Sequence, residues 1–246
     1  MIKIAGMSIE TLSPQDRGKQ AAGFAAVDQL VQPGMKLGLG TGSTAKWAIL
    51  RTAERFRSGE LEGLLVVASS FDTEILCQKE GLPLRTLQDA QIDAELDLVI
   101  DGADELMTSL DCIKGGGAAQ LQEKILCDAS KDFILVADES KVVPHLGTRF
   151  PIPLEVHPLA RLSVLKTLKH RGIQAQLRYG TGKAGPVVTD NGNFIFDLLF
   201  SAPIDAVQQE TELKMITGVV EVGLFPRRAR RAYIGKSDGS FLIWER

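Results

Sequence analysis

Residues 96–106 read LDLVIDGADEL. Leu96, Leu98, Val99 and Ile100 make a short, almost unbroken apolar run, the pattern of a strand buried on both faces. The run delivers Asp101 to its carboxyl end, and Gly102-Ala103 allows a tight turn that returns Asp104 to the same place, with Glu105 next. Runs of the same kind recur at 35–39 (MKLGL), 64–69 (LLVVAS), 82–87 (LPLRTL) and 133–138 (FILVAD). Helical patterns separate them. One spans 16–31, with a stripe at Ala22, Ala25, Ala26 and Leu30, and is stopped by Gln32-Pro33-Gly34. A second carries Trp47, Leu50 and Phe56, a third is capped by Asp72 and runs to about Lys79, and a fourth opens at KGGGAA and runs to about Ser130. This alternation predicts an α/β fold, a Rossmann-like parallel sheet covered by helices on both faces. Ligands of such sheets bind at the carboxyl ends of strands, where the polar motifs of this chain fall.

Beyond Pro151 the pattern changes. IPLEV (152–156), a helix over about 158–170, IQAQLRY (173–179), VVTDNGNFIFDLLF (187–200, turning at Asn191-Gly192), a helix over about 203–216 and VVEVGLF (219–225) follow in order. The order β-α-β-β-α-β is that of a ferredoxin-like unit. AYIGKSDGSFLIWER (232–246) reads as a hairpin about Asp238-Gly239 that rejoins the first sheet. The expected division is therefore a catalytic α/β domain from 1–147 plus 225–246, and a smaller α+β domain over 148–224.

Composition narrows the function classes. The 246 residues, 44% hydrophobic and 24% charged, suffice for a sizeable core. Twenty-eight basic against 31 acidic residues, a net charge of −3, lack the broad basic excess of a nucleic-acid surface. The one basic run, RRARR at 227–231, reads as a solvated face or a subunit contact. Cys77, Cys112 and Cys127 form neither a CxxC pair nor an even framework and read as reduced thiols. No apolar run approaches the ~18 residues of a membrane span. The first 16 residues lack a signal-peptide core and read as a loose leader, so a cytoplasmic location is expected.

Three motifs carry chemistry. GLGTGSTAK (38–46) is a glycine turn between strand and helix, where backbone amides, Ser43 and Thr44 can meet a phosphate. It departs from a Rossmann glycine signature at Ser43 and from a Walker A loop at Ala45 and Trp47. The second motif, DGADE (101–105), offers acids that could bind a metal, orient sugar hydroxyls or shuttle protons. His145, His157 and His170 lie far from it in sequence and give no ligand-like spacing. The third, KGGGAAQLQEKIL (114–126), puts three glycines and Lys114 at a helix N-terminus, a natural seat for an oxyanion. Glu123, two turns on, shares a face with Ala119, Leu126 and Cys127; desolvation there would raise its pKa toward neutrality. Taken alone, a helical glutamate beside Lys124 reads first as a solvated surface residue, and the apolar flank shifts that reading only modestly. Lys141, just after FILVAD, reads as a surface lysine unless the motifs converge.

At these residues the sequence resembles the A-type ribose-5-phosphate isomerases from about Ala21 onward. VQPG, GLGTGSTA, DGADE, KGGGAA with the following EK, DESK, PIPLEVHP, VVTDNGN and GVVEVGLF stand in that family's order and spacing. The resemblance implies interconversion of ribose 5-phosphate and ribulose 5-phosphate through an enediol, with Glu123 as the base. It implies substrate contacts at Thr41, Gly42, Ser43 and Thr44, at Asp101, Gly102, Ala103 and Asp104, at Lys114, Gly115, Gly116 and Gly117, and at Lys141. Lys114 and the three glycine amides would stabilise the enediolate. Asp101 and Asp104 would hold hydroxyls, assist ring opening or move protons between oxygens. No metal and no cofactor is implied, and the expected partners are a sugar phosphate and further copies of the chain, as a homodimer or homotetramer. The leader, the GTGKAG segment (180–185) and RRARR depart from the family pattern. The rival reading is a sugar-phosphate-sensing domain without turnover, which would keep the phosphate cradle but not need Glu123.

Overall fold

A computed structural model describes residues 12–182 and 184–246. Residues 1–11 of the expected leader lie outside them, and its last three residues, Pro14, Gln15 and Asp16, already belong to the first helix, capped by Ser13. The first half of the chain runs α1 (Pro14–Leu30), β1 (Lys36–Leu39), α2 (Ala45–Arg57), β2 (Leu65–Ala68), α3 (Phe71–Lys79), β3 (Leu84–Arg85), β4 (Leu98–Gly102), β5 (Glu105–Leu106), β6 (Cys112–Ile113), α4 (Gln120–Asp128) and β7 (Phe133–Asp138). The second half runs β8 (Ile152–Val156), α5 (Arg161–His170), β9 (Gln174–Leu177), β10 (Phe194–Leu199), α6 (Ala206–Lys214), β11 (Val219–Val222), β12 (Leu224–Phe225), β13 (Arg231–Gly235) and β14 (Phe241–Glu245).

The main sheet has the order β14-β13-β7-β4-β1-β2-β3. Six of its strands are parallel, and only β14 runs antiparallel, as the hairpin partner of β13. Successive residues of the buried strands feed two separate cores, as the two-residue period requires. Leu98, Ile100, Ile134 and Val136 pack with α1, α2 and α3 on one face. Val99, Phe133, Leu135 and Ala137 pack with Leu126 and Cys127 of α4 on the other. From β1 the chain winds outward through β2 and β3, and from β4 it winds the opposite way through β7. The switch point, where such sheets bind ligands, lies between β1 and β4.

The second unit is a four-stranded antiparallel sheet of order β11-β8-β10-β9 with α5 and α6 packed on it, the ferredoxin-like arrangement. Two details differ from the sequence reading. VVEVGLF is not one strand: it changes sheets at Gly223, so that β12 joins β6 and β5 in a small third sheet. The cause is a close approach of backbones. A side chain on Gly223 would stand 2.3 Å from the Lys114 carbonyl, while Gly223 accepts the Lys114 N–H at 2.9 Å. The second detail is the cap of α3, which is Ser70 and not Asp72; its hydroxyl accepts the Thr73 N–H at 3.1 Å. Among the described residues no helix is long and apolar enough to cross a membrane, and the three cysteines are unpaired and buried.

Candidate active site

Four of the chain's turns meet at the switch point: 40–44 after β1, 102–104 after β4, 114–117 after β6, and the short helical turn 139–141 after β7. Together they enclose a narrow cleft of about 70 Å³. Thr41, Gly42, Ser43, Thr44, Gly102, Ala103, Asp104, Lys114, Gly115, Gly116, Gly117, Glu123 and Lys141 all line it. Of the residues read from the sequence as candidates, Asp101 does not line the cleft but lies beneath its floor with no exposed surface, and Glu105 is turned elsewhere. Larger hollows exist, one of about 960 Å³ on the outer side of the second unit. They lack both the glycine turns and the buried charges, so volume does not locate the site.

Glycine at position 40 is what lets β1 and β4 lie side by side here. A Cβ at Gly40 would fall 1.9 Å from Asp101 Oδ1. That carboxylate oxygen instead accepts the backbone N–H groups of Thr41 (3.1 Å) and Gly102 (2.7 Å), tying the two turns to each other. Asp104 is spent differently: its Oδ2 accepts the Gly116 N–H at 2.7 Å, which fastens the 114–117 turn to the 102–104 turn. Glu105, the third acid of the motif, points away and organises the segment 147–150 by accepting the N–H groups of Gly147, Arg149 and Phe150.

Lys114 sits at the centre, 2% exposed. Its ammonium lies 2.9 Å from Asp101 Oδ1 and 3.1 Å from Glu123 Oε1, and it donates to the Gly102 carbonyl at 2.5 Å. All three of its protons therefore have protein acceptors. Burial would lower the Lys114 pKa, but the charges of Asp101 and Glu123 outweigh it and hold the group above its ordinary value. Glu123 is 3% exposed, and its second oxygen, Oε2, is buried with no hydrogen-bond partner. Burial pushes its pKa up from 4.5 to about 8; Lys114 opposes the rise and Asp101 adds to it. Asp101 also shifts upward through burial, against the pull of Lys114 and the two backbone donors. Two desolvated carboxylates thus share one ammonium. Among the described residues no group of three or more His, Cys, Asp or Glu is arranged to hold a metal.

The other end of the cleft is built for an anion. The N-termini of α2 and α4, at Thr44 and Ala119, both lack a side-chain cap; Thr44 lines the cleft, so the positive dipole end of α2 faces it. The Thr41 hydroxyl is set by those of Ser69 (2.8 Å), Ser70 (2.7 Å) and Thr73 (3.1 Å). Lys141 also lines the cleft.

Sequence reasoning missed several of these contacts. Lys124 is no surface residue: it is buried on Glu210 (2.7 Å), Glu221 (2.8 Å) and the Phe225 ring (4.7 Å). The acids that pair with it lie about 90 residues away in the chain, so no local pattern announces them. RRARR lies at the surface, as its charge suggested, with Arg227 and Arg230 exposed; what its composition did not show is that Arg228 pairs with Asp128 and Glu210, and Arg231 with Glu245. Arg178, from the second unit, bonds the carbonyls of Gly115 and Gly116.

Fold and cluster together define a class: a doubly covered α/β protein with an anion cleft at its switch point and a desolvated carboxylate inside it. The sequence profile of ribose 5-phosphate isomerase A (phosphoriboisomerase A) matches residues 65–239. Ribose-5-phosphate isomerase A of Treponema denticola is 46% identical over 229 residues, covering 90% of this chain and 96% of its own. A D-ribose-5-phosphate isomerase solved in complex with phospho-erythronic acid superposes with a TM-score of 0.90 at 36% identity, over 94% of this chain and 99% of that one. The ribose 5-phosphate isomerase of Plasmodium falciparum does so at 0.88 and 34%, with the same coverage. The chain belongs to the ribose 5-phosphate isomerase A family.

Proposed function

We propose that this protein interconverts D-ribose 5-phosphate and D-ribulose 5-phosphate, with Glu123 as the proton carrier. The observation that carries the reading is the unpartnered Glu123 Oε2, desolvated yet lining the cleft beside the Lys114 ammonium. In the aldose-to-ketose direction, Glu123 takes the proton from carbon 2. The electron pair forms the C1–C2 double bond, and the carbonyl oxygen at carbon 1 becomes the enediolate oxygen and gains a proton. The hydroxyl at carbon 2 then loses its proton, and Glu123 returns the carried proton to carbon 1. Atoms and charge balance with no redox partner.

Lys114, with its donors already committed, acts through its charge: it stabilises the carboxylate before transfer and the enediolate after it. Glycine amides of the 114–117 turn supply the direct donors. Asp104, on the cleft wall, holds or relays protons of the substrate hydroxyls, while Asp101 acts from below by holding Lys114 and the Thr41 amide. Phosphate is bound by the 41–44 turn and Lys141, and that binding fixes the reacting carbons. The bound phospho-erythronic acid of the structural neighbour, a phosphorylated acid of enediolate-like charge, supports this reading. A cytoplasmic location, a homodimeric or homotetrameric assembly, and a division into 1–147 plus 225–246 and 148–224 belong to the same proposal.

The test is formation of ribulose 5-phosphate from ribose 5-phosphate by the purified chain, with and without EDTA. Turnover unaffected by the chelator is expected. Loss with EDTA and rescue by a divalent ion would overturn the metal-free mechanism. Binding without turnover would favour a sugar-phosphate sensor.

A further inference from the structure

The run Gly115-Gly116-Gly117 has no side chain with which to hold its own peptides, and Gly115 stands at φ +105°. Such a segment is the most freely rotating that a chain can offer. Yet an oxyanion site depends on amides that do not have to reorient during reaction. Something outside the segment must hold it.

Arg178 is placed to do so. It follows β9 and donates its own N–H to the Ile195 carbonyl of β10 at 2.8 Å. Its side chain is 14% exposed and divides its donors between two partners. Nε (2.9 Å) and Nη2 both donate to the carboxylate of Asp197 on β10. Nη1 donates to the carbonyls of Gly115 (2.8 Å) and Gly116 (3.1 Å). Asp197 fixes the plane of the guanidinium, and the guanidinium fixes the planes of two successive peptides.

Those peptides are trans, so their amide N–H groups leave from the opposite edge. The N–H of Gly116 goes to Asp104 Oδ2 at 2.7 Å. The N–H of Gly117 is directed the same way, and Gly117 lines the cleft. A cation on the carbonyl side also polarises each peptide and makes its N–H a stronger donor. We propose that Arg178, anchored by Asp197, is a positioning residue of the isomerase. Through it the second unit orients and polarises two amides, that of Gly116, which fastens the turn to Asp104, and that of Gly117, which meets the developing enediolate oxygen. This inference rests on the reaction proposed above.

The test compares Arg178→Ala, Arg178→Lys and Asp197→Asn with wild type, each confirmed folded by circular dichroism. Deleting an oxyanion donor outright costs about 10²–10³ in kcat, so loss of its support should cost about 10- to 100-fold in Arg178→Ala. KM should stay within about threefold, because the 41–44 turn and Lys141 still hold the phosphate. Affinity for phospho-erythronic acid should fall in step with kcat, and affinity for inorganic phosphate should not change. Added guanidinium ion should restore part of kcat to Arg178→Ala and none to wild type. Arg178→Lys, which cannot span Asp197 and both carbonyls, should show an intermediate loss. If kcat and phospho-erythronic acid affinity are unchanged while only the thermal midpoint drops, Arg178 merely ties the units together and the proposal fails. Should Arg178→Ala not fold, Arg178→Lys and Asp197→Asn decide by the same readouts. A wild type that never turns over ribose 5-phosphate would sink the isomerase reading. The phospho-erythronic acid arm would still judge Arg178, since unchanged affinity in the variants overturns its role.

Discussion

Glu123 competes with Asp101 for one buried ammonium, and its second oxygen has no donor at all. A carboxylate so placed holds its proton well past the ordinary 4.5, to about 8. As the proposed base it must be ionised before it can take a proton from carbon. The acid limb of kcat/KM should therefore rise through a pKa near 8 and not near 4.5. A pH–rate profile flat from pH 5 upward would say that another group, or an unshifted Glu123, carries the reaction. The upward shift was legible from the apolar neighbours of Glu123, but its competition with Asp101 for Lys114 was not. Ala119, Leu126 and Cys127 hinted at an apolar flank, but Lys124 beside Glu123 looked like a solvated neighbour. The charges that bury Lys124, Glu210 and Glu221, come from α6 and β11. Distance in sequence also hid Arg178, 63 residues from Gly115, and with it Asp197.

At the scale of elements, motif and geometry agree because the glycines have steric reasons. Gly40 gives way to Asp101, and a Cβ at Gly116 would stand 2.5 Å from Asp104 Oδ1. GLGTG, DGAD and KGGG are thus three turns shaped to fit one another, and their composition could be read directly. The three-stranded sheet could not be read, since β5 and β6 have two residues each and lack any period. It is that sheet, through Gly223 and β12, which seats Lys114. Lys141 sits on a single helical turn after β7, held by the Asp138 side chain, which accepts the Ser140 N–H at 3.0 Å. Lys141→Ala should leave this turn intact and remove one cation from the anion end. KM for ribose 5-phosphate should rise several-fold with kcat nearly unchanged, and inorganic phosphate should compete less well. Equal inhibition by inorganic phosphate in variant and wild type would remove Lys141 from the anchor.

For the whole molecule, the alternation of apolar runs with helical patterns made the doubly covered sheet legible, and the order after Pro151 made the ferredoxin-like unit legible. The desolvation of the site is a property of the entire fold, and it should be measurable as such. Below pH 4.5 both folded and unfolded chains hold the Glu123 proton. Between 4.5 and about 8 the unfolded chain has lost it and the folded chain has not, so folding stability falls as pH rises. Glu123→Gln cannot titrate, and its stability should decline less than that of wild type across this window, other groups cancelling in the difference. Parallel urea midpoints for the two proteins at both ends of the window would contradict the raised pKa.

The most direct measurement follows the carbon-bound proton itself. Ribose 5-phosphate is incubated in deuterium oxide with wild type and with Glu123→Gln, and deuterium at carbon 2 of the aldose and carbon 1 of the ketose is read by NMR. Wild type should form ribulose 5-phosphate and introduce solvent deuterium at these carbons. Glu123→Gln, isosteric and still folded, should bind ribose 5-phosphate with nearly unchanged affinity and lose at least the ~10²–10⁴-fold that a general base contributes, in isomerisation and exchange alike. A folded Glu123→Gln that isomerises and exchanges at close to the wild-type rate would contradict the account.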